Sequence, residues 1–188
     1  MARNAPSAPQ KRTKSLKTLY ILRHAKAAPE DREGGDAERP LTKHGRKAAA
    51  AMGDYLAGLQ PAPRLVLCSS SRRTRETLDE VLPAFEREPQ FVFEDALYLA
   101  SASRLLDRLQ RLPEQTDSVL LIGHNPGLHQ LAAALASEPA ALAESFPTAA
   151  LAVLRVGGRW PALRLHQAKL IDFKTPKSLR GDPESDPD

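Results

Sequence analysis

The stretch TLYILRHAKA, residues 18–27, decides the fold. Five residues of mostly large apolar character, Thr18 to Leu22, run straight into charged ones. This is the pattern of a strand buried on both faces that ends at the polar edge of a sheet. Arg23 and His24 stand at its carboxyl end. The same pattern returns in SVLLIGHNPGL, residues 118–128, where Val119 to Ile122 read as a second buried strand and His124 stands just past it. Between the two lie LVLC (65–68) and FVF (91–93), two further strand candidates. Helical spacing separates them: Ala48, Met52, Tyr55, Leu56 and Leu59 after a Thr42 cap; Leu78, Val81, Leu82 and Phe85 after a start near Arg72; and Leu105, Leu106 and Leu109 after Ser101 or Ser103.

Strands alternating with helices predict an α/β protein, a three-layer α/β/α sandwich around a mostly parallel mixed sheet. Two apolar runs, Ala149 to Val156 and Leu163 to His166, flank Gly157-Gly158 and read as an antiparallel hairpin at the sheet edge. In such sheets ligands bind outside the carboxyl ends of the strands. Arg23, His24, Arg73 and His124 all fall there, so four residues far apart in sequence are expected to share one pocket.

The rest of the chain sets bounds. A length of 188 residues suits one domain, here 18–172, with flexible tails at 1–17 and 173–188. The chain is 41% hydrophobic and 27% charged, and no apolar run approaches the ~20 residues of a membrane span. The net charge of +4 is misleading, because Arg3, Lys11, Arg12, Lys14 and Lys17 crowd the amino-terminal tail with no acid among them. The remainder is close to neutral, and no nucleic-acid face is indicated. A lone Cys68 and the absence of a secretory leader suggest a cytoplasmic protein.

Two arginines and two histidines suit a compact polyoxygen anion, phosphate above all, because guanidinium presents paired, directed donors. Neutral imidazole can also attack phosphorus once its second nitrogen is held by a hydrogen bond. Competing readings are simpler. Arg72 and Arg75 read as solvated neighbours of Arg73, with Arg75 a candidate for the pocket rim. A cysteine phosphatase would need arginine six positions after Cys68, and position 74 is threonine. His129, His44 and His166 read as packed or exposed, and no metal-ligand set has suitable spacing. The long polar stretch Ala27 to Pro40, with Lys26 before it and Glu30, Asp31 and Asp36 within it, reads as a solvated loop.

Three phrases carry a resemblance to the histidine phosphatase (phosphoglycerate mutase-like) superfamily: ILRHAKA, SSSRRTRETL and LIGHNPG, in that order. Arg23 and His24 match the first signature, Arg73 and Thr77 the second, and His124 the third; Thr74 departs from the usual alanine. LRHAKA, ERPLTKHGRKAA, LYLAS and GHNPGL are similar to the branch named for the SixA phosphohistidine phosphatase, over roughly residues 18–169. The resemblance implies a phosphoryl group carried on His24, steadied by Arg23, Arg73 and His124, with no metal or organic cofactor. It also implies a phosphorylated protein, such as a phosphohistidine-containing signalling domain, or a small phosphorylated molecule as substrate. Many members carry a glutamate that protonates an ester leaving group, and Leu99 falls near its place, with Glu94 and Asp95 as possible substitutes. A phosphomonoesterase or mutase, and a phosphate-binding protein without catalysis, stay open as alternatives.

Overall fold

The computed structural model describes residues 16–29, 35–139, 142 and 144–181. Six strands form one sheet: β1 (Leu16–Arg23), β2 (Leu65–Ser69), β3 (Gln90–Glu94), β4 (Ser118–Gly123), β5 (Leu151–Gly157) and β6 (Ala168–Lys174). Their order is β3-β2-β4-β1-β5-β6. The pairs β1–β4, β2–β4 and β2–β3 are parallel, while β5 runs antiparallel to both β1 and β6. The helices are α1 (Lys43–Ala57), α2 (Arg72–Val81), α3 (Ala102–Gln110), α4 (Gly127–Leu135) and α5 (Pro176–Arg180). Among the described residues no helix is long and apolar enough to cross a membrane.

Alternation along the strands divides the core. Leu19, Ile21, Leu121, Ala152 and Leu154 face α3 and α4, whereas Tyr20, Leu22, Ile122, Leu151 and Val153 face α1 and α2. The helices following β1 and β4 thus leave the sheet on opposite faces although the two strands are neighbours. The crevice between their carboxyl ends is the topological switch point of the sheet.

Three expectations are corrected. Leu163 to His166 is not a strand: Trp160 is fully buried and donates its indole N–H to the Thr116 carbonyl at 2.8 Å. That anchor draws the chain into a short 3-10 turn at Trp160–Ala162 and delays the return strand to Ala168. The boundary at 172 falls inside β6, and the segment read as a tail continues into α5, capped by Thr175 and packed through Leu179 under the α1 face. At the other end β1 begins at Leu16, and Lys17 is 3% exposed, donating to Asp117 and to the Glu114 carbonyl. The tails at 1–15 and 182–188 lie outside the described residues.

One glycine holds an element near the switch point. A Cβ on Gly127 would stand 1.9 Å from the Ala100 carbonyl oxygen, so only glycine lets α4 start against that backbone. Alanine gains about 1 kcal/mol in helix propensity, but overpacking against rigid backbone costs about 1–3 kcal/mol and here has no flexible side chain to displace. Gly127→Ala is therefore expected to be destabilising despite its better propensity. A urea denaturation midpoint at or above that of the unaltered protein would refute this.

Candidate active site

Backbone bonds at the switch point hold the loop that follows β1. His24 N–H donates to the Gly123 carbonyl and His24 C=O accepts from Ala149 N–H, each at 3.1 Å. The next residue, Ala25, donates its N–H to Thr77 Oγ1 at 3.0 Å, and that hydroxyl donates to the Arg73 carbonyl at 2.6 Å. Thr77 thereby ties the histidine loop to the first turn of α2, where Arg73 sits. Ser69 ends β2 with its hydroxyl 2.8 Å from His124 Nε2. Three adjacent strands, β1, β4 and β2, deliver Arg23, His24 and His124 with their supports to one place.

The result is a cavity of about 450 Å³ lined by Arg23, His24, Arg73 and His124 together with Asp36 and Asn125. The two imidazole rings lie 5.1 Å apart between centroids, tilted by 54°. His24 Nδ1 is 2.8 Å from the Ala25 carbonyl oxygen, an acceptor, so Nδ1 carries the proton and Nε2 the lone pair. Burial first, and then the positive charge of Arg73 and Arg23, pushes the His24 pKa down to about 4. Burial, followed by the charge of His24 and of Arg73, pushes His124 down to about 3. Both rings are neutral near physiological pH. His124 Nδ1 and Asn125 Oδ1 are buried with no hydrogen-bonding partner among the described residues.

The arginines are held from behind. The Phe146 carbonyl accepts from Arg23 Nη1 and from Asn125 Nδ2, both at 2.9 Å. Arg73, 3% exposed, donates Nη2 to the Asp36 carboxylate at 2.8 Å and Nη1 to the Asp36 carbonyl. Asp36 also accepts from the Tyr98 hydroxyl at 2.6 Å and from Arg39 at 2.9 Å. The Tyr98 bond, then those from Arg39 and Arg73, hold its carboxyl well below the usual carboxylate range. Tyr98 in turn stands edge-on to His124, ring centroids 5.4 Å apart.

The reading of Asp36 as part of a solvated loop is thus corrected: it is the anchor of Arg73. Lys26 lines the cavity as well, while Glu30 and Asp31 lie outside the described residues. Glu94 ends β3 and is engaged by Arg108 through a fork of bonds at 2.7–3.0 Å, away from the cavity, and Asp95 is exposed at the start of a 3-10 turn. Leu99 does line the cavity, half-exposed, with φ at 47° in the left-handed region. Arg75 lies over the Phe93 ring, 4.9 Å from its centroid, and not at the rim. Cys68 is fully buried and burial raises its thiol to about 12, which leaves no thiolate for nucleophilic chemistry. His129 bonds the Leu142 carbonyl, His166 is exposed, and no cluster of three metal-ligating side chains occurs among the described residues.

Sequence reasoning gave no role to Tyr98, Asn125, Ser69 or Arg39. Asn125 and Tyr98 stood inside the quoted phrases GHNPGL and LYLAS, yet only the folded chain shows what they touch. The neutral imidazoles also leave a mark on stability. An unfolded chain protonates both rings near pH 6.5, the folded chain only near 4 and 3. Their contribution is fully present above pH 6.5 and is lost as pH falls through the folded values. The urea midpoint is expected to drop from pH 7 toward pH 4, and less so in a His124→Gln variant. Equal pH slopes in the two proteins would contradict this burial of neutral rings.

Paired guanidinium groups and two neutral imidazoles at the switch point of an α/β sheet define an enzyme of compact oxyanion chemistry. Residues 19–98 match the histidine phosphatase superfamily (branch 1). An uncharacterised protein of Mycobacterium tuberculosis is 35% identical over 164 residues, spanning 83% of this chain and all of that relative. A candidate phosphohistidine phosphatase SixA from Nakamurella multipartitia superposes with a TM-score of 0.76 at 30% identity, over 86% of this chain and 96% of its own. The protein histidine phosphatase SixA complexed with tungstate gives 0.73 at 26% identity, over 86% and 99%. The chain belongs to the histidine phosphatase superfamily and is a phosphatase with SixA-like architecture.

Proposed function

We propose that the protein is a protein phosphohistidine phosphatase in which His24 Nε2 receives the phosphoryl group while Arg23, Arg73 and His124 hold its oxygens. One observation carries the substrate reading. Asp36 is the one carboxylate among the described residues lining the cavity, and three donors keep it ionised. It has no proton to give, and Leu99 stands where an ester-cleaving acid would be useful. An alkyl phosphate must expel an alkoxide, which needs such a proton. A phosphohistidine expels imidazole, a far better leaving group that can carry its proton already. The tungstate held by a SixA relative, a tetrahedral oxyanion, agrees with phosphoryl binding in this fold.

In the first step the Nε2 lone pair attacks phosphorus in line, and the substrate P–N bond breaks. The bonding pair returns to the substrate imidazole, which leaves neutral because its other nitrogen already bore a proton. The Ala25 carbonyl accepts from Nδ1–H throughout, which fixes the ring and disperses the charge it gains. Two guanidinium groups offset the charge on the phosphoryl oxygens as it passes between the rings. His124 donates from Nδ1 to a phosphoryl oxygen when Ser69 donates to its Nε2. In the second step water attacks phosphorus, the P–Nε2 bond breaks with its pair returning to Nε2, and the proton of the water goes to the departing phosphate. The scheme calls on no metal, since arginine supplies the positive charge.

Purified protein is expected to release phosphate from a histidine-phosphorylated protein with kcat/KM at least about 100-fold above that for an alkyl phosphate, a difference of about 3 kcal/mol in transition-state stabilisation. Equal or better turnover of the alkyl ester would overturn the assignment and point to a phosphomonoesterase.

A further inference from the structure

Residues 97–100 form a tight turn beside the cavity. Ala100 N–H donates to the Leu97 carbonyl at 3.4 Å, Tyr98 has φ −66° and ψ 118°, and Leu99 has φ 47°. The bond and the angles are those of a type II turn, whose third residue must take a positive φ and is ordinarily glycine or asparagine. Leucine is strained at that place, because its Cβ crowds the backbone and it has no short polar side chain to bond locally.

The flanks of the turn hold that strain in place. Leu97 and Ala100 are buried, the Ala100 carbonyl packs against Gly127 at the start of α4, and the Tyr98 hydroxyl is held by Asp36 at 2.6 Å. Between these fixed points the positive φ turns the Leu99 side chain outward, where it is 55% exposed and lines the cavity. Among the described residues, Leu99 alone of the exposed large apolar side chains does so. Its companions in the lining include Asp36, Arg39, Arg73, His124 and Asn125, so the wall is polar everywhere around it. The position offers the fold neither burial nor a relaxed backbone, and strain of this kind points to a use at the site.

A phosphoryl group needs donors, and leucine has none to give. The leaving group is a different matter. In-line displacement by His24 places it on the far side of phosphorus, toward the open part of the cavity where Leu99 stands exposed. A flat, weakly hydrated ring gains by covering that side chain, whereas a hydroxylated or carboxylated group would lose water there and find no partner. We infer that Leu99 is a specificity-determining residue that packs against the imidazole ring of the substrate's phosphohistidine and selects ring leaving groups over small polar ones. The identity of the ring rests on the phosphohistidine reading above; the contact adds how the site recognises it.

The test uses the full chain with three substrates: a histidine-phosphorylated peptide, an activated aryl phosphate, and acetyl phosphate, whose leaving group needs no acid but carries no ring. Leu99→Asn is expected to lower kcat/KM for the peptide about tenfold more than for acetyl phosphate. Leu99→Met, which keeps an apolar side chain, is expected to retain the preference of the unaltered protein. The urea midpoint of Leu99→Asn is expected at or above that of the unaltered protein, because asparagine suits the turn. An equal change for peptide and acetyl phosphate in Leu99→Asn, or the same loss of preference in Leu99→Met, overturns the ring contact and leaves the phosphohistidine reading standing. A urea midpoint below that of the unaltered protein also overturns it, since the leucine would then serve the fold. If the unaltered protein cleaves the aryl phosphate and not the peptide, the phosphohistidine reading is what fails. The ring contact is then judged on the aryl phosphate: a tenfold loss relative to acetyl phosphate in Leu99→Asn upholds it, and an unchanged ratio overturns it.

Discussion

A His24→Ala variant is expected to lose at least about four orders of magnitude in kcat and to carry no phosphoryl group after acid-free rapid quench. In the proposed mechanism the magnitude follows from removing the attacking atom, not a supporting one. Without Nε2 a water would have to attack the substrate directly, in a cavity whose donors are arranged around a ring that is gone. The fold should survive, because among the described residues the His24 side chain bonds to the Ala25 carbonyl next in sequence and to nothing distant. Circular dichroism and the urea midpoint of the variant check that the loss is chemical. The unaltered protein, mixed with substrate labelled at phosphorus, should yield a chain bearing label that is stable to base and released by acid, as a phosphoramidate is. Retention of more than a tenth of the activity, or equal labelling of the alanine variant, would remove His24 from its role.

The pH dependence of that step has a definite sign. In the proposed mechanism phosphoryl transfer needs the neutral ring, and the pKa of His24 in the free protein is pushed down to about 4. Activity carried by that ring is therefore expected above that value and is expected to be lost as pH falls through it. An ordinary imidazole would begin to fail near 6.5, so the depressed value extends the working range into acid.

Arg73→Lys should lower kcat/KM by about 10²–10³-fold although the formal charge is kept, comparable to loss of one oxyanion-stabilising donor. Arg73 is nearly buried, and both of its terminal nitrogens are held by Asp36. A guanidinium has five N–H donors and a planar fork, so it can be gripped from behind while still presenting donors forward. An ammonium is a point charge on a flexible stem. It can satisfy Asp36 or reach the phosphoryl oxygens, but it cannot do both in one geometry. Kinetics with the histidine-phosphorylated protein measure the loss, and a lysine variant within threefold of the unaltered protein would show that Arg73 contributes charge alone.

These two residues were open to reading from the linear chain for a simple reason. A strand buried on both faces is a short apolar run, and the residue after it lies at the carboxyl edge of the sheet whatever the rest of the fold does. His24 and His124 sit at such positions on neighbouring parallel strands. Arg73 needed only the turn after β2 and the first turn of α2. The return strand was harder, because Leu163, Leu165 and the alternating pattern around them mimic a strand. What displaced it was the burial of Trp160 in the core on the α3 and α4 face of the sheet, with a hydrogen bond to Thr116 that no local window contains. The same holds at the carboxyl terminus: α5 is short and polar, and its one packed residue, Leu179, matters only because α1 lies above it.

By itself the sequence determined the strand ends, the α/β alternation and the four residues that converge on the cavity. Each of these follows from a local period or from a motif a few residues long. Only the tertiary structure decided what those four residues lean on. Asp36 meets Arg73 and Tyr98 across 37 and 62 residues of chain, and Ser69 meets His124 across 55. Hydrogen bonds at such separation depend on how the whole chain is routed around the sheet. The same routing binds the one carboxylate described in the cavity to three donors, and so turned the question of a missing acid into one of a carboxylate that cannot hold a proton.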